Sequence, residues 1–479
     1  MDIFGVLHFF AKLKPDALAV VTNSTELTFS QLDSNVKRIA RLLQINGVDN
    51  SNLVCTMLPS SHDWQVTLAL HILGASSFSK PVGSKLDEVL KPDWLISMRV
   101  NSDFPEERTF VIDSNFENAV NQTDKLKHGI GFSSPEFPAR YFFTSGTSGA
   151  PKYLVTTAAK LNAKALSPSV RNFIGEREFL NLMQLGSSMS YWNALQSLIE
   201  GRTYFVSSGY DFKLSKLLNK YAIRTVAGSP IQISAMLDSL IQTGTKPPLL
   251  KTVYMSGSQP TKIQVNRIRE VLGARIYNAY GSTELGFVAV NEILKDSERG
   301  GIISPDVKLE IVDTDGVILP RGEVGFVRYS KQDMPKKYFN SEEATNEFFK
   351  DGFFYPGDLG FINELGNLRL AGRANDVINL GGVKIRPESV EEIALRVPGV
   401  TDAAAFPLID SKGVRRLALA YVAEPGFDLQ VLEDSCQKEL RAISVAKFVE
   451  VEIIPRNENG KIPRSKLPEL IFGSGKDHA

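Results

Sequence analysis

Tyr141-Phe-Phe-Thr-Ser-Gly-Thr-Ser-Gly-Ala-Pro-Lys152 is the stretch whose reading decides the fold. An apolar, aromatic strand end runs into hydroxyls and glycines and closes on a lysine. Gly146 and Gly149 free the backbone to turn its N–H groups toward a ligand, and Thr144, Ser145, Thr147 and Ser148 add side-chain donors. Lys152 brings a mobile positive charge. Donors and a cation around one tight loop suit a polyphosphate. The order Gly, four residues, Gly-Lys-Ser/Thr is absent, so this is not a Walker A loop. Taken alone, the same residue types also make an ordinary surface loop.

Around this loop, helical periodicity alternates with short β-branched runs. Phe29 to Leu43 places apolar residues at three- and four-residue intervals and predicts an amphipathic helix. Leu53 to Leu58 predicts a buried strand, followed by a helix over Trp64 to Leu73. Ile223 to Ala227 and Leu250 to Met255 predict further strands with a helix between them. The alternation implies an α/β fold with parallel sheets. From Gly301 to Tyr329 short strands with Gly and Pro turns predict a small β subdomain. Gly372-Arg-Ala-Asn-Asp376 reads as a boundary, with residues 1–374 forming a large N-terminal domain of layered α/β subdomains. Residues 375–479 form a small α+β domain: helices over Ser389 to Val397 and Asp428 to Ile443, strands over Ala403 to Phe406 and Leu417 to Val422. The tail from Phe472 reads as frayed. A large domain followed by a small one places a site most naturally in the cleft between them.

At 479 residues and 43% hydrophobic the chain can bury large cores. Its 54 Lys and Arg balance 54 Asp and Glu, so no global field draws it to nucleic acid or an anionic membrane, and no nucleic-acid recognition motif occurs. Cys55 and Cys436 match no metal or redox spacing. The scarcity of cysteine, a first ten residues without a basic signal region, and no apolar run long enough to span a bilayer predict a cytoplasmic protein.

Further segments carry chemistry. In Tyr277-Asn-Ala-Tyr-Gly-Ser-Thr-Glu-Leu-Gly286, Tyr280 offers an aromatic face, Gly281 permits close approach, Thr283 is a hydroxyl donor and Glu284 suits a hard divalent cation. As a purely structural element this would be a strand-to-helix turn with a hydroxyl cap. Tyr355-Pro-Gly-Asp-Leu-Gly360 presents Asp358 on a tight turn, where a carboxylate can accept both hydroxyls of a ribose; Pro-Gly-Asp is also common turn chemistry. Gly372 to Glu391 mixes glycines with basic residues at the boundary, and Ile454-Pro-Arg-Asn-Glu-Asn-Gly-Lys-Ile-Pro-Arg464 carries Lys461 on a polar turn.

Taken in order, with Leu27-Thr-Phe-Ser-Gln-Leu-Asp33 near the start, these segments resemble the ANL superfamily of adenylate-forming enzymes: acyl-CoA synthetases, peptide-synthetase adenylation domains and beetle luciferases. The resemblance spans nearly the whole chain. It implies that a carboxylate attacks the α-phosphate of ATP, giving an acyl-adenylate and pyrophosphate, and that the acyl group then passes to a phosphopantetheine thiol, of coenzyme A or of a carrier protein. It assigns Thr144, Ser145, Gly146, Thr147, Ser148, Gly149 and Lys152 to the β- and γ-phosphates. Gly257, Ser258 and Gln259 fall where the family walls the adenine pocket, Asn278 where adenine is hydrogen-bonded, and Tyr280 where it is stacked. Thr283 corresponds to the α-phosphate contact, Glu284 to the Mg²⁺ ligand, Asp358 and Arg373 to the ribose grip. Lys461 corresponds to the lysine bridging substrate carboxylate and α-phosphate. A rotation of the small, mobile C-terminal domain then brings Gly381-Gly-Val-Lys384 to the site, with Gly382 and Lys384 along a pantetheine tunnel.

The chain departs from the family pattern in three places: Tyr153 stands where a Gly usually follows the loop lysine, the loop core reads Gly-Thr-Ser-Gly, and Asn375 occupies the usual Asp or Lys hinge position. Acyl specificity is expected from Ser188, Met189, Tyr191, Trp192 and Asn193, from Gly228, and from Gly281, Leu285 and Gly286. Aromatic residues at that helical spacing are also typical core. No Asp occurs between Asn181 and Tyr210 to pair with an ammonium, which disfavours an α-amino acid. The reading is an ATP-dependent acid–thiol ligase. A carrier-loading enzyme and an amide-forming ligase share its first step, and a non-catalytic nucleotide-binding interaction protein is the alternative of another class.

Overall fold

The computed structural model describes residues 2–473 apart from 87, 145–151, 166–177, 208–211, 295–299, 333, 381–382, 411–413, 441–442 and 457–461. The predicted first helix forms over Phe29–Ile45. Thr28 caps it by accepting from the Gln31 N–H while the Gln31 side chain accepts from the Thr28 N–H, so two end donors are satisfied reciprocally. Its apolar face, including Leu32, Val36, Ala40 and Leu43, is buried in the largest core.

A nine-stranded sheet organises the centre of the chain. Strands Leu18–Val21, Tyr204–Val206, Phe179–Asn181, Thr225–Gly228, Thr252–Ser256 and Arg275–Ser282 run parallel in that spatial order. Parallel strands need crossovers, and helices Phe212–Lys220, Pro230–Gln242 and Lys262–Leu272 provide them. A six-stranded sheet is inserted in the chain after the first strands of that sheet, with Thr109–Val111, Trp94–Ser97, Leu53–Met57, Ser76–Ser79 and Pro138–Thr144 parallel and Lys152–Thr157 folded back antiparallel. The predicted strand at 223–227 lies at Thr225–Gly228, beginning two residues later.

The stretch 277–286 is not a strand-to-helix turn. It is a strand–strand hairpin in which Arg275–Ser282 pairs antiparallel with Gly286–Glu292. Val288, Ala289 and Leu285 pack into the core of the next sheet, and that burial favours strand over helix after the turn. The β subdomain expected over 301–329 is antiparallel and extends further along the chain, including Lys308–Val312, Gly325–Ser330, Asp358–Ile362 and Leu368–Arg373. A short turn, Ala374–Asp376, leads into the C-terminal region. There Val400–Ile409, Arg415–Ala423 and Val445–Glu450 form a three-stranded sheet against helices Pro387–Arg396 and Leu429–Leu440. Among the described residues, no helix is long and apolar enough to cross a membrane.

Candidate active site

Because the central strands are parallel, their carboxyl ends fall at one edge of the sheet, where α/β folds gather ligands. Thr225–Gly228 ends in Gly228, Thr252–Ser256 leads into Gly257-Ser258-Gln259, and Arg275–Ser282 carries Asn278, Tyr280 and Gly281. Gly257 adopts φ +92°, a left-handed conformation that turns the chain directly after its strand. Met189 meets this edge, its Sδ lying 4.0 Å from the Ser256 hydroxyl.

Asp358 and Arg373 are cross-strand partners in the β subdomain, and the Arg373 Nε stands 3.0 Å from the Asp358 Oδ1. The Tyr280 hydroxyl donates to the Asp358 Oδ2 at 2.6 Å, tying the central sheet to the subdomain. Burial and then the neighbouring Asp358 carboxylate hold the Tyr280 phenol well above its usual range, so it stays a donor. A cavity of about 170 Å³ opens beside this constellation, bordered by Gly357, Arg373, Asn375, Glu347 and Phe348.

Lys152 packs against Phe348. Its Nζ sits 3.7 Å from the Phe348 ring centroid, a cation–π distance, and the residue is 9% exposed. Burial lowers its pKa, while Glu347, Glu284 and Glu343 act in the opposite direction. Glu284 is buried in the hairpin turn and accepts a hydrogen bond from the Tyr338 hydroxyl at 2.6 Å on Oε1. Among the described residues no group of three or more His, Cys, Asp or Glu side chains forms a metal cage. One carboxylate with a free oxygen is the donor set Mg²⁺ uses when the remaining ligands are phosphate oxygens and water, so Glu284 fits that ion.

The expected residues therefore fall into distinct placements. Tyr280, Asp358 and Arg373 are joined directly; Lys152 and Glu284 both approach Tyr338; Gly228, Gly257, Ser258, Gln259, Asn278 and Thr283 belong to neighbouring strand ends and the hairpin turn. Ser188 and Met189 are half-buried at the start of helix Ser188–Ile199. Tyr191, Trp192 and Asn193, in contrast, are 0%, 4% and 2% exposed. The Tyr191 hydroxyl pairs with His71 Nε2 at 3.0 Å and its ring packs against Phe142 and Trp64, so these are core contacts and not an open acyl wall. Ser145, Gly146, Thr147, Ser148, Gly149, Gly382 and Lys461 lie outside the described residues, as does the side chain of Lys384. Sequence reasoning missed Tyr338, which no local pattern marks: it sits between Lys337 and Phe339 in a segment without periodicity. It also missed Arg464, which forms ion pairs with Asp376, Glu388 and Glu391 and so ties the segment after Lys461 to helix Pro387–Arg396.

Replacing Asp358 with alanine is expected to release both Arg373 and Tyr280. ATP–pyrophosphate exchange should then show a raised KM for ATP with a smaller change in maximal rate, because the lost contacts bind ground and transition states alike. A rate loss at unchanged KM for ATP would contradict a nucleotide-gripping role.

The AMP-binding enzyme family matches residues 85–339, and the AMP-binding enzyme C-terminal domain matches residues 389–461. The chain is 26% identical to a 4-chlorobenzoate–CoA ligase of Arthrobacter sp over 99% of its length and 96% of that protein's. It is 25% identical to a 2-succinylbenzoate–CoA ligase of Bacillus mycoides (strain KBAB4), covering 96% and 97% of the two chains. Among solved structures, O-succinylbenzoate coenzyme A synthetase (MenE) from Bacillus subtilis in complex with AMP superposes with a TM-score of 0.79 at 21% identity, over 96% of this chain and 97% of that one. The match of the large domain and the separate match of the small one place this chain in the AMP-binding enzyme family of the ANL superfamily.

Proposed function

We propose that this chain activates a carboxylic acid with ATP and Mg²⁺ and then joins it to the thiol of coenzyme A. In the first step a carboxylate oxygen bonds to the α-phosphorus and pyrophosphate leaves. In the second the thiol sulfur bonds to the acyl carbon, AMP leaves, and the thiol proton passes to solvent. The observation that carries the reading is the Tyr280–Asp358–Arg373 constellation, whose Arg373 borders the same cavity as Phe348, the ring over which Lys152 lies. A ribose grip at the cavity and a cation seated against one of its lining rings suit the two ends of a nucleoside triphosphate.

When bound, Mg²⁺ supplies positive charge to the phosphate oxygens. Glu284 is the residue to hold it, Thr144 and Lys152 to meet the β- and γ-phosphates together with Ser145 to Gly149, and Thr283 to meet the α-phosphate. Gly257 to Gln259, Asn278 and Tyr280 form the adenine pocket. Nucleophile and target are both anions, so a preorganised cation governs the first step, and Lys461 fills that role. The boundary at 374/375 lets residues 375–479 turn between the half-reactions.

Both curated relatives above act on ring-bearing acids by name, a benzoate and a succinylbenzoate, which makes aryl carboxylic acids the substrate class to test first. Met189, Gly228 and Gly286 are the residues to line that pocket, Leu285 being packed into the core of the next sheet. The test is ATP–pyrophosphate exchange across a panel of aryl and alkyl acids, followed by thioester formation with coenzyme A or a phosphopantetheinylated carrier protein. Exchange with an aryl acid and product with coenzyme A are expected; product with the carrier alone would shift the reading to a loading enzyme. Absence of exchange with every acid would leave only a non-catalytic nucleotide-binding role. A second prediction isolates the thiol step: Gly382→Leu is expected to keep exchange and abolish thioester formation, because a side chain in the tunnel obstructs the thiol. Loss of both half-reactions together would count against domain alternation.

A further inference from the structure

Glu284 and Lys152 are both buried, carry opposite charges and attract each other, yet no ion pair within 4.0 Å joins them among the described residues. Tyr338 stands between the two. Its hydroxyl donates to the Glu284 Oε1 at 2.6 Å, and the Lys152 Nζ is 5.7 Å from its ring centroid. The segment holding Tyr338 is fixed from two directions. The Tyr338 N–H donates to the Thr345 Oγ1 at 3.0 Å, and the Phe339 N–H donates to the carbonyl of Tyr153, beside Lys152, at 2.7 Å. Phe348 and Phe349 pack edge-on to the Tyr338 ring at 6.2 and 5.3 Å, leaving it 4% exposed.

We propose that Tyr338 is a positioning residue for the cation site, holding the Glu284 carboxylate in place for a divalent ion and keeping it from closing onto Lys152. The inference rests on the proposed role of Glu284 as the Mg²⁺ ligand. A collapsed Lys–Glu pair would withdraw both groups, because the lysine is needed by phosphate and the carboxylate by the cation. A neutral O–H donor orients the carboxylate without cancelling its charge. It occupies one lone pair of Oε1 and leaves Oε2 and the remaining acceptor sites available. Hydrogen bonds of this outer kind fix ligand orientation, and removing one typically weakens metal affinity by about tenfold or more.

The test is Tyr338→Phe, which keeps the ring and removes the donor. Mn²⁺ serves as a paramagnetic substitute for Mg²⁺, titrated by electron paramagnetic resonance in the presence of a non-hydrolysable ATP analogue. Affinity is expected to fall about tenfold. The Mg²⁺ concentration for half-maximal pyrophosphate exchange should rise in parallel, and saturating Mg²⁺ should restore most of the rate. A merely structural tyrosine would lower the melting temperature and leave Mn²⁺ affinity unchanged, which would overturn the inference. Tyr338→Met, also without a donor, is the second variant if Tyr338→Phe does not fold, with the same expectation. Glu284→Gln separates the levels. If it weakens Mn²⁺ binding and the Tyr338 variants do not, Tyr338 has no such role; if it too has no effect, the assignment of Glu284 fails and this inference falls with it.

Discussion

Lys461→Ala is expected to slow ATP–pyrophosphate exchange by roughly 10²–10³-fold, the loss typical when one preorganised charge-stabilising group is removed. The reason is electrostatic. A carboxylate approaching an α-phosphate meets like charge, and a cation reaching both groups offsets that repulsion as the bond forms. Lys152 is seated over Phe348 and is proposed for the far end of the triphosphate. Arg373 is engaged with Asp358. The variant should still form thioester from a chemically prepared acyl-adenylate, because that half-reaction needs no lysine at the phosphate. Both rates can be followed in one preparation, by exchange of labelled pyrophosphate and by chromatography of the acyl-CoA. Near-normal exchange in Lys461→Ala would refute the assignment, and equal loss of both half-reactions would point to a structural role.

How far the molecule was legible in its sequence depended on whether the governing interaction was local. The helix Phe29–Ile45 is fixed by its own periodicity and by the Thr28–Gln31 cap, and it was readable to within two residues at its end. The hairpin at 277–286 was not, because its second strand is specified by partners in the next sheet, Val327 and Tyr329 among them. Arg140 makes the same point. Within an otherwise apolar strand it is 0% exposed, donating to Ser77 and Ser79, and the latter hydroxyl meets Thr56, which in turn donates to the buried Asp63. Burial gives Asp63 a raised pKa, opposed first by the Arg140 charge. Such a relay is assembled from four separate stretches of chain and leaves no local signature. In the site, Asp358 and Arg373 each stood in a recognisable motif, whereas their cross-strand pairing came only with the fold. Tyr191 and Trp192 were ambiguous for the converse reason: an aromatic pair on a helix reads alike whether it faces a ligand or a core.

Gly281→Ala is the substitution expected to damage the site most through the backbone. A Cβ at this position would stand 2.2 Å from the carbonyl oxygen of Gly286, far inside contact distance, and the obstacle is main chain that no rotamer change can move. The register shifts between Tyr280 and Gly281, so the paired strands already bend here. To admit a methyl group the hairpin must open at its turn, and that turn carries Thr283 and Glu284, while Tyr280 on its other side is bonded to Asp358. Overpacking of this kind costs about 1–3 kcal/mol in stability. The effect on exchange should be larger than that figure suggests, since the displacement falls on the groups proposed for the α-phosphate and the cation together. Gly286→Ala is the matched control. Its φ of +78° strains a side chain, but a Cβ there meets nothing within 4 Å. It should therefore lower the melting temperature while retaining more exchange activity than Gly281→Ala at permissive temperature. Equal activity in the two variants would show that the close approach of the two strands at Gly281 is not what sustains the site.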